Sequence, residues 1–262
     1  MTTGIYLFCL TRETTLPELK GTGIDGLHPL SAETIGDVAA IFSEVALEDF
    51  AGPEAQARME DLAWIGPRVL RHEEVIMAVM ELGPVLPVRF GTVFSSLETM
   101  KEPLRRHRAI LSEFFRETAG KKEWAFRGYV NMPQARAQVM AERLAAEKEQ
   151  LAGLTPGKRY FLEQRIKGAV NKEVASWLKG LGNQIVTSLQ DLSAAFHERR
   201  LLAKEVTGRE EEMFFHVAFL VPDASMEELQ RLLSDWNAAH QDAGLLLELS
   251  GPWPPYHFAP VL

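Results

Sequence analysis

The segment His72-Glu73-Glu74-Val75-Ile76 begins like the helix of a zinc protease. Such a helix needs a second histidine one turn after the first, because both imidazoles must reach the same zinc ion. Position 76 is isoleucine, and the other six histidines are scattered without ligand spacing. We therefore predict no metal site and interpret His72 as part of the polar edge of an amphipathic helix.

A second motif contains Gly21, Gly23 and Gly26 and matches the pattern G-x-G-x-x-G, which binds pyrophosphate in dinucleotide-binding proteins. In those proteins the loop leads directly from a strand into a helix, whose N-terminal amides contact the phosphates. Here the preceding apolar run ends at residue 10, and residues 27–30, which include Pro29, do not resemble a helix start. We interpret the motif as a turn and predict no cofactor.

The sequence also gives no support for nucleophilic catalysis or nucleic-acid binding. There is no G-x-S-x-G motif, and the single cysteine, Cys9, lies in an apolar run. Residues 127–130 (RGYV) resemble the start of an RNA-binding strand, but a net charge of −8 opposes contact with phosphates. We predict no catalytic residues, and the alternative is an enzyme or small-molecule-binding protein that uses a cleft between domains.

Arg89 is the most unusual charged residue, because it lies within the apolar residues 85–94 that are predicted to form a strand. A buried guanidinium must be paired with a carboxylate, and Glu73, Glu74 and Glu81 are candidates. We expect such structural pairing, with a direct role in binding as the alternative.

Length and composition indicate the number of domains, the class of protein and its location in the cell. A length of 262 residues predicts two domains, and 46% hydrophobic with 24% charged residues is typical of a globular protein. No apolar stretch approaches the roughly 20 residues that span a bilayer, and the first residues lack the features of a signal peptide. With a single cysteine, these features predict a cytoplasmic protein.

The first predicted domain covers residues 1–119 and ends at the glycine-containing linker 119–122. Its predicted strands are residues 5–10, 35–45 and 85–94. Its predicted helices are residues 54–82, broken at Gly66-Pro67, and residues 97–118. Leu62, Val69, Val75 and Val79 recur at helical spacing and are expected on one buried stripe of the first of these helices.

The second predicted domain covers residues 120–250, and a tail rich in proline and aromatic residues covers 251–262. Strands are predicted at residues 124–132, 213–221 and 245–249. Helices are predicted from residue 133 to about 152, across 158–207, and from 225 to about 243. The fold class is therefore α+β, with an N-terminal ferredoxin-like α/β domain and a C-terminal split-βαβ-like domain carrying long additional helices.

Several segments carry a family resemblance that extends along nearly the whole chain. The strongest are residues 64–94, which include 86–94 (LPVRFGTVF), and the tail residues 251–258 (GPWPPYHF). Residues 6–8 (YLF), 123–124 (EW) and 157–162 (GKRYFL) support them. Together these motifs resemble the gas vesicle proteins of the F/L family, although F and L types share them and the tail differs at His257.

The resemblance implies a two-domain, non-catalytic protein without a cofactor that is found in the cytoplasm and with the gas vesicle. Its implied partner is the major shell protein, gas vesicle protein A, with other gas vesicle accessory proteins as further partners and neither nucleic acid nor lipid membrane. The structural or partner-contact candidates are Arg89, Phe90, Trp253, Tyr256 and Phe258. The aromatic tail either holds the protein's own domains together or contacts the partner.

A physical role follows from the chemistry of such a shell. A shell subunit presents an apolar face to gas, and before assembly that face is exposed to water and prone to aggregation. We expect the protein to bind this subunit by strand addition at an open sheet edge or through an apolar groove, and to assist nucleation and assembly.

Overall fold

In a computed structural model, which describes residues 2–15, 20–147 and 154–261, the N-terminal apolar run forms a central strand of the first of two sheets. The strands of this sheet are β1 (Thr3–Arg12), β2 (Leu30–Ile35), β3 (Val38–Ala46), β4 (Val85–Pro87) and β5 (Val93–Phe94). Their order is β2-β3-β1-β4, β5 also pairs with β1, and these pairs are antiparallel.

The described helices that accompany this sheet are α1 (Pro53–Glu60), α2 (Leu62–Met80), α3 (Leu97–Arg106) and α4 (Arg108–Thr118). The side chains of β1 alternate between two cores, so that Ile5 and Leu7 pack with residues of α3 and α4. Tyr6 and Phe8 pack with residues of α2. Because both faces of β1 are covered, its sequence is an apolar run rather than an alternation of polar and apolar residues.

The predicted strand 35–45 is part of a hairpin that the sequence did not reveal. β2 and β3 are joined at Gly36 and Asp37, and Gly36 has a φ of 70°, which glycine adopts without steric cost. Residues of β2 are half-buried or exposed except Ile35, so its polar side chains resemble a loop in sequence. The predicted strand 85–94 is likewise two short strands, β4 and β5, separated by a turn.

The helical boundaries also differ from the predictions. The helix expected over residues 54–82 breaks at Asp61, whose side chain accepts a hydrogen bond from the amide of Ala63, whereas Pro67 lies inside α2. Only the C-terminal half of α2 is buried, and Leu62 is 83% exposed. The predicted single buried stripe along residues 62–80 is therefore wrong for its N-terminal half, where Val69 is also exposed.

The second sheet contains β6 (Lys121–Val130), β7 (Ala195–Glu198), β8 (Glu212–Pro222) and β9 (Leu245–Trp253) in the order β7-β8-β6-β9. Its helices are α5 (Met132–Ala146), α6 (Pro156–Gln190), α7 (Lys204–Thr207) and α8 (Met226–His240). The predicted helical region 158–207 ends at Gln190, and the strand β7 that follows was missed. All four residues of β7 are exposed. The strand therefore lacks the alternation of apolar and polar residues by which a half-buried strand is recognised in a sequence. The predicted end of the preceding helix near residue 152 lies outside the described residues.

The chain divides into a first unit of residues 1–123 and 252–262 and a second unit of residues 124–251. Both sheets place their strands in the same order of second, third, first and fourth. The second unit has the element order of a βαββαβ fold, whereas described residues 13–15 and 20–29 of the first unit form a 3-10 turn and an isolated bridge where that fold has a helix. No helix in the described part of the chain is long and apolar enough to cross a membrane.

Candidate functional site

The two segments that carry the strongest family resemblance meet in the first unit. The hydroxyl of Tyr256, in the tail, donates a hydrogen bond of 2.7 Å to Oε1 of Glu73 on α2. Burial, and then the neighbouring Glu73 carboxylate, raise the pKa of Tyr256, so the hydroxyl stays protonated and remains a donor. The tail is therefore attached to the helix that precedes the turn containing Arg89.

A buried carboxylate makes a second attachment of the tail. Glu123 is 2% exposed and accepts from the backbone amide of His257 at 3.0 Å. Its other oxygen lies 2.6 Å from Nδ1 of the same histidine. The buried residues Pro254 and Pro255 restrict the backbone between these contacts and β9. A carboxylate that is itself almost fully buried thus satisfies two polar groups of one tail residue.

His72 lies at the centre of the first unit, which corrects its interpretation as a polar edge of α2. It is 1% exposed, with Nδ1 at 2.9 Å from the hydroxyl of Tyr6 and Nε2 at 3.0 Å from the carbonyl of Val88. A carbonyl only accepts, so Nε2 carries the proton and Nδ1 accepts from Tyr6. The Tyr6 oxygen in turn accepts from the amide of Gly91 at 3.1 Å. This network links β1, α2 and the turn at residues 88–92.

The His72 network makes the stability of the protein depend on pH. Burial lowers the pKa of His72 below its ordinary value of 6.5, against opposing effects of the Val88 carbonyl and Glu73. The unfolded chain therefore takes up a proton before the folded chain as pH falls, so this contribution to stability is present above pH 6.5 and is lost below it. We expect the slope due to His72 to reach at most about 1.4 kcal/mol per pH unit.

Urea unfolding of the wild type and of His72→Gln across pH 5 to 8 measures this slope. The difference between their slopes isolates His72 from other groups, such as His28, whose pKa is raised by its hydrogen bond to Asp25 and which acts in the opposite direction. His107→Gln is a control that keeps the network intact. Parallel pH profiles for the wild type and His72→Gln would contradict the assignment.

Aromatic rings surround the network and fix the position of the turn. The Tyr6 ring lies 4.9 Å from Phe8 and 5.1 Å from Phe50, and His72 lies 5.6 Å from Phe90, measured between ring centroids. Rings at these separations attract one another beyond their burial of apolar area. Phe90 is therefore a structural contact of the first unit, and its ring is half-buried.

The chemistry available in this region is limited. The Cys9 thiol is fully buried and burial raises its pKa, so it is a poor nucleophile. Both nitrogens of His72 have partners within the fold. Within residues 2–15, 20–147 and 154–261, no cluster of His, Cys, Asp or Glu could hold a metal ion. The arrangement stabilises a fold and does not assemble a nucleophile with a base.

A surface pocket of about 420 Å³ lies between β2 and the helices α3 and α4. Each of its cations is already held by a carboxylate: Lys101 by Glu33, Arg105 by Glu98 and Arg108 by Asp37. These pairs leave little positive charge for an anionic metabolite in this pocket, which lies within the first unit.

Comparison with known proteins agrees with this non-catalytic site. Residues 4–260, nearly the whole chain, match the model of the family described as gas vesicle synthesis protein GvpL/GvpF. The chain belongs to the GvpL/GvpF family. This confirms the predicted family and gas vesicle role, and it confirms the prediction that the protein is not an enzyme, because the family is one of gas vesicle proteins. Such a role implies interaction with other gas vesicle components.

Among its sequence relatives, gas vesicle protein L of Streptomyces sp. (strain CB03234) is 27% identical over 258 residues, which cover 97% of this chain and 92% of that protein. Gas vesicle protein L1 of Halobacterium salinarum is 26% identical, covering 98% and 90% of the two chains. The crystal structure of GvpF from Anabaena sp. PCC7120 has a TM-score of 0.72 at 19% identity and covers 99% of both chains. GvpF from Microcystis aeruginosa has a TM-score of 0.66 at 20% identity, covering 98% of this chain and 99% of that one. These structures share the α+β fold with two sheets.

In this GvpL/GvpF family member, Arg89 is exposed, so the expected buried pairing with Glu73, Glu74 or Glu81 is wrong. Its carbonyl accepts from the amide and the hydroxyl of Thr92, which closes a turn in which Gly91 has a φ of 81°. A strand through residues 85–94 would have buried the guanidinium, whereas the turn directs it to solvent. Arg89 remains a candidate for partner contact.

The tail candidates differ in how much of each side chain is available. Trp253 is 42% exposed and Tyr256 is 37% exposed, whereas Phe258 is half-buried. Ala259 packs against the core formed by β1, α3 and α4. The structure brings Tyr256 to Glu73 and the Phe90 ring to His72. Sequence reasoning missed Glu123 and Tyr6, whose roles depend on partners 134 and 66 residues away.

An open sheet edge is the other feature that the sequence did not reveal. β7 is a terminal strand of the second sheet and pairs antiparallel with β8. The amide of Arg199 donates to the carbonyl of His216 at 2.9 Å, and antiparallel residues alternate between bonded and non-bonded positions. The backbone groups of Phe196 and Glu198 therefore point away from β8. The Phe196 side chain is 40% exposed, and Leu201 in the next loop is exposed as well.

Proposed function

We propose that this protein is an accessory or minor structural gas vesicle protein that binds the hydrophobic major shell protein, gas vesicle protein A. Binding takes place in the cytoplasm, keeps the shell subunit from aggregating, and assists nucleation and assembly of the vesicle. The observation that carries this proposal is the open edge of β7, with family membership giving the biological setting. An edge of unpaired amides and carbonyls is matched best by an extended segment of another chain.

The other end of the second sheet is less available than β7. At β9, the side chain of Asn237 donates to the carbonyl of Leu247 at 2.9 Å and accepts from its amide at 2.8 Å. This amide side chain occupies the position that a neighbouring strand would take. Gly251 and Pro252 near the end of the same strand further oppose pairing.

The first sheet is also protected at its ends. The amide of Leu30 at the start of β2 donates to the carbonyl of Gly21, and the loop between them forms a bridge from Thr22 to Pro29. At the opposite end, β4 has only three residues and ends in Pro87. Among the described strands, β7 therefore combines the most accessible edge with an exposed aromatic side chain.

Phe196→Pro tests the proposal, because it removes an outward amide without removing a hydrogen bond to β8. We expect capture of co-expressed gas vesicle protein A by the full-length protein to fall about tenfold, since one lost hydrogen bond and the lost ring together exceed about 1.4 kcal/mol. Capture is measured by pull-down from cells that express both proteins, with the amount of shell protein quantified against the bait.

Phe196→Thr is the matched control, because it removes the ring but keeps the amide and a residue that favours strands. Its capture should lie between that of the wild type and that of Phe196→Pro, and both variants should keep the wild-type circular dichroism spectrum. Undiminished capture by Phe196→Pro would contradict strand addition at β7. Failure of the wild type to capture any shell protein, together with strong thermal stabilisation by a metabolite, would contradict the proposed function.

A further inference from the structure

The long helix α6 has a charge opposite to that of the whole protein. Its 35 residues include six lysines and arginines and two glutamates, whereas the complete chain carries a net charge of −8. A local excess of cations in an acidic protein is an electrostatic feature that selects partners of opposite charge.

Four of these cations form one line, which we call the basic stripe: Lys158, Arg165, Lys172 and Lys179. All four are exposed, and each follows the previous one by seven residues. Seven residues are nearly two helical turns, so the side chains share one side of α6 at intervals of about 10.5 Å. The stripe extends for about 32 Å along the helix axis.

The basic stripe lacks the intrahelical partners that exposed cations usually have. No Asp or Glu lies three or four residues before or after any of its members. Elsewhere in the described chain, cations on helices do pair at this spacing: Arg58 with Glu54, Arg71 with Glu74, Arg106 with Glu102, Arg116 with Glu113, and Arg231 with Glu227. Such pairs stabilise a helix, so no carboxylate of α6 at this spacing compensates the charge of the stripe.

The positions beside the basic stripe leave room for a second helix. Phe161 lies between Lys158 and Arg165 and is 74% exposed, which provides one large apolar contact at the N-terminal end. Along the same side follow Gly168 and Ala175, and no atom lies within 4 Å of the place where a Cβ would stand on Gly168. One aromatic contact followed by small residues fits the surface of a partner helix. A single-stranded nucleic acid would instead be expected to stack successive bases on several aromatic side chains.

We propose that the basic stripe binds an acidic helix of a partner protein whose carboxylates recur at seven-residue intervals. Matching intervals on two packed helices place each carboxylate opposite one cation, while Phe161 inserts into the partner's apolar side. A nucleic acid or an anionic lipid surface is large enough to be repelled by the net charge of −8 on the whole protein. A single partner helix contacts mainly the basic stripe. The basic stripe consists of residues of α6 and not of β7, and the proposal does not rest on the proposed function.

The test uses the full-length protein and a labelled helical peptide of about 30 residues with glutamate at every seventh position. Its isomer has the same composition with the glutamates distributed over all faces. We expect the first peptide to bind with an affinity that falls several-fold as salt rises from about 50 to 250 mM, and the isomer to bind about tenfold more weakly. Fluorescence anisotropy measures both.

Substituting all four stripe residues with glutamine should weaken peptide binding at least about tenfold. The matched control replaces four other exposed cations, Arg106, Arg136, Lys167 and Arg231, with glutamine, which changes the net charge equally and should alter binding less than about twofold. Phe161→Ala tests the apolar contact and should weaken binding in low and high salt alike.

Three outcomes would overturn the proposal: equal binding of the two peptides, equal losses in the stripe and control variants, or tighter binding of single-stranded RNA or phosphatidylserine vesicles at the same salt. Capture of gas vesicle protein A by the stripe variant should equal that of the wild type. Loss of shell capture together with peptide binding would overturn the assignment of the two surfaces to different partners.

Discussion

Glu123→Ala is expected to lower the free energy of unfolding by about 3 kcal/mol and to detach the C-terminal tail from the first unit. The carboxylate is 2% exposed and satisfies both the amide and Nδ1 of His257. Removing the carboxylate takes both of these hydrogen bonds from His257, and the loss of a charged partner from an almost fully buried position is costly. The loss should therefore exceed that of any exposed ion pair on the surface.

Urea unfolding measures the change in stability, and hydrogen exchange of residues 256–259 reports detachment of the tail directly. Glu102→Ala is the matched control, because Glu102 pairs with Arg106 at an exposed site that contributes less than about 1 kcal/mol. Glu123→Gln should lie between the two, since its amide oxygen still accepts from the His257 backbone. Unchanged exchange in Glu123→Ala would show that other contacts suffice to hold the tail.

Tyr6→Phe should lower the free energy of unfolding by about 2 to 3 kcal/mol, although it removes a single oxygen atom. The Tyr6 hydroxyl donates to Nδ1 of His72 and accepts from the amide of Gly91, so both groups lose a partner. His72 is buried where water cannot replace the bond, and Gly91 is half-buried. Because Gly91 belongs to the turn that presents Arg89, the same change should also increase hydrogen exchange in residues 89–92.

Tyr160→Phe provides the comparison, because Tyr160 is 58% exposed and its hydroxyl can reach solvent. It should change stability by less than about 0.5 kcal/mol. An equally small effect of Tyr6→Phe, measured by the same urea titration, would mean that the network does not stabilise the turn. A double variant at Glu123 and Tyr6 tests whether the two networks are independent, because the losses at independent sites add.

The prediction of a buried, paired Arg89 was wrong because it rested on the local pattern of residues 85–94. Residues 85–94 are apolar on both sides of the arginine, which is typical of a buried strand. The chain instead turns at Gly91, and the turn is held by Tyr6, 85 residues earlier in the sequence. The pattern of residues 85–94 alone cannot indicate a hydrogen bond to a residue 85 positions earlier in the chain.

β7 was missed for a related reason. Its residues are all exposed, so no alternation of polar and apolar side chains marks it as a strand. Its conformation depends on pairing with β8, about 20 residues further along the chain. His72 gives the opposite case, because its polar side chain resembles a surface residue until Tyr6 and Val88 supply partners in the interior.

The sequence by itself determined the features that depend on nearest neighbours and on hydrophobic runs: the first strand, most of the helices, the α+β class and the motifs of the GvpL/GvpF family. The seven-residue spacing of the basic stripe is also visible in the sequence, but only the structure shows that its four cations are exposed on one helix. Tertiary structure decided which polar groups are buried, which sheet edge stays open and where the tail attaches. These depend on hydrogen bonds and packing between residues far apart in the chain, and the free energy of such contacts is absent from any single segment.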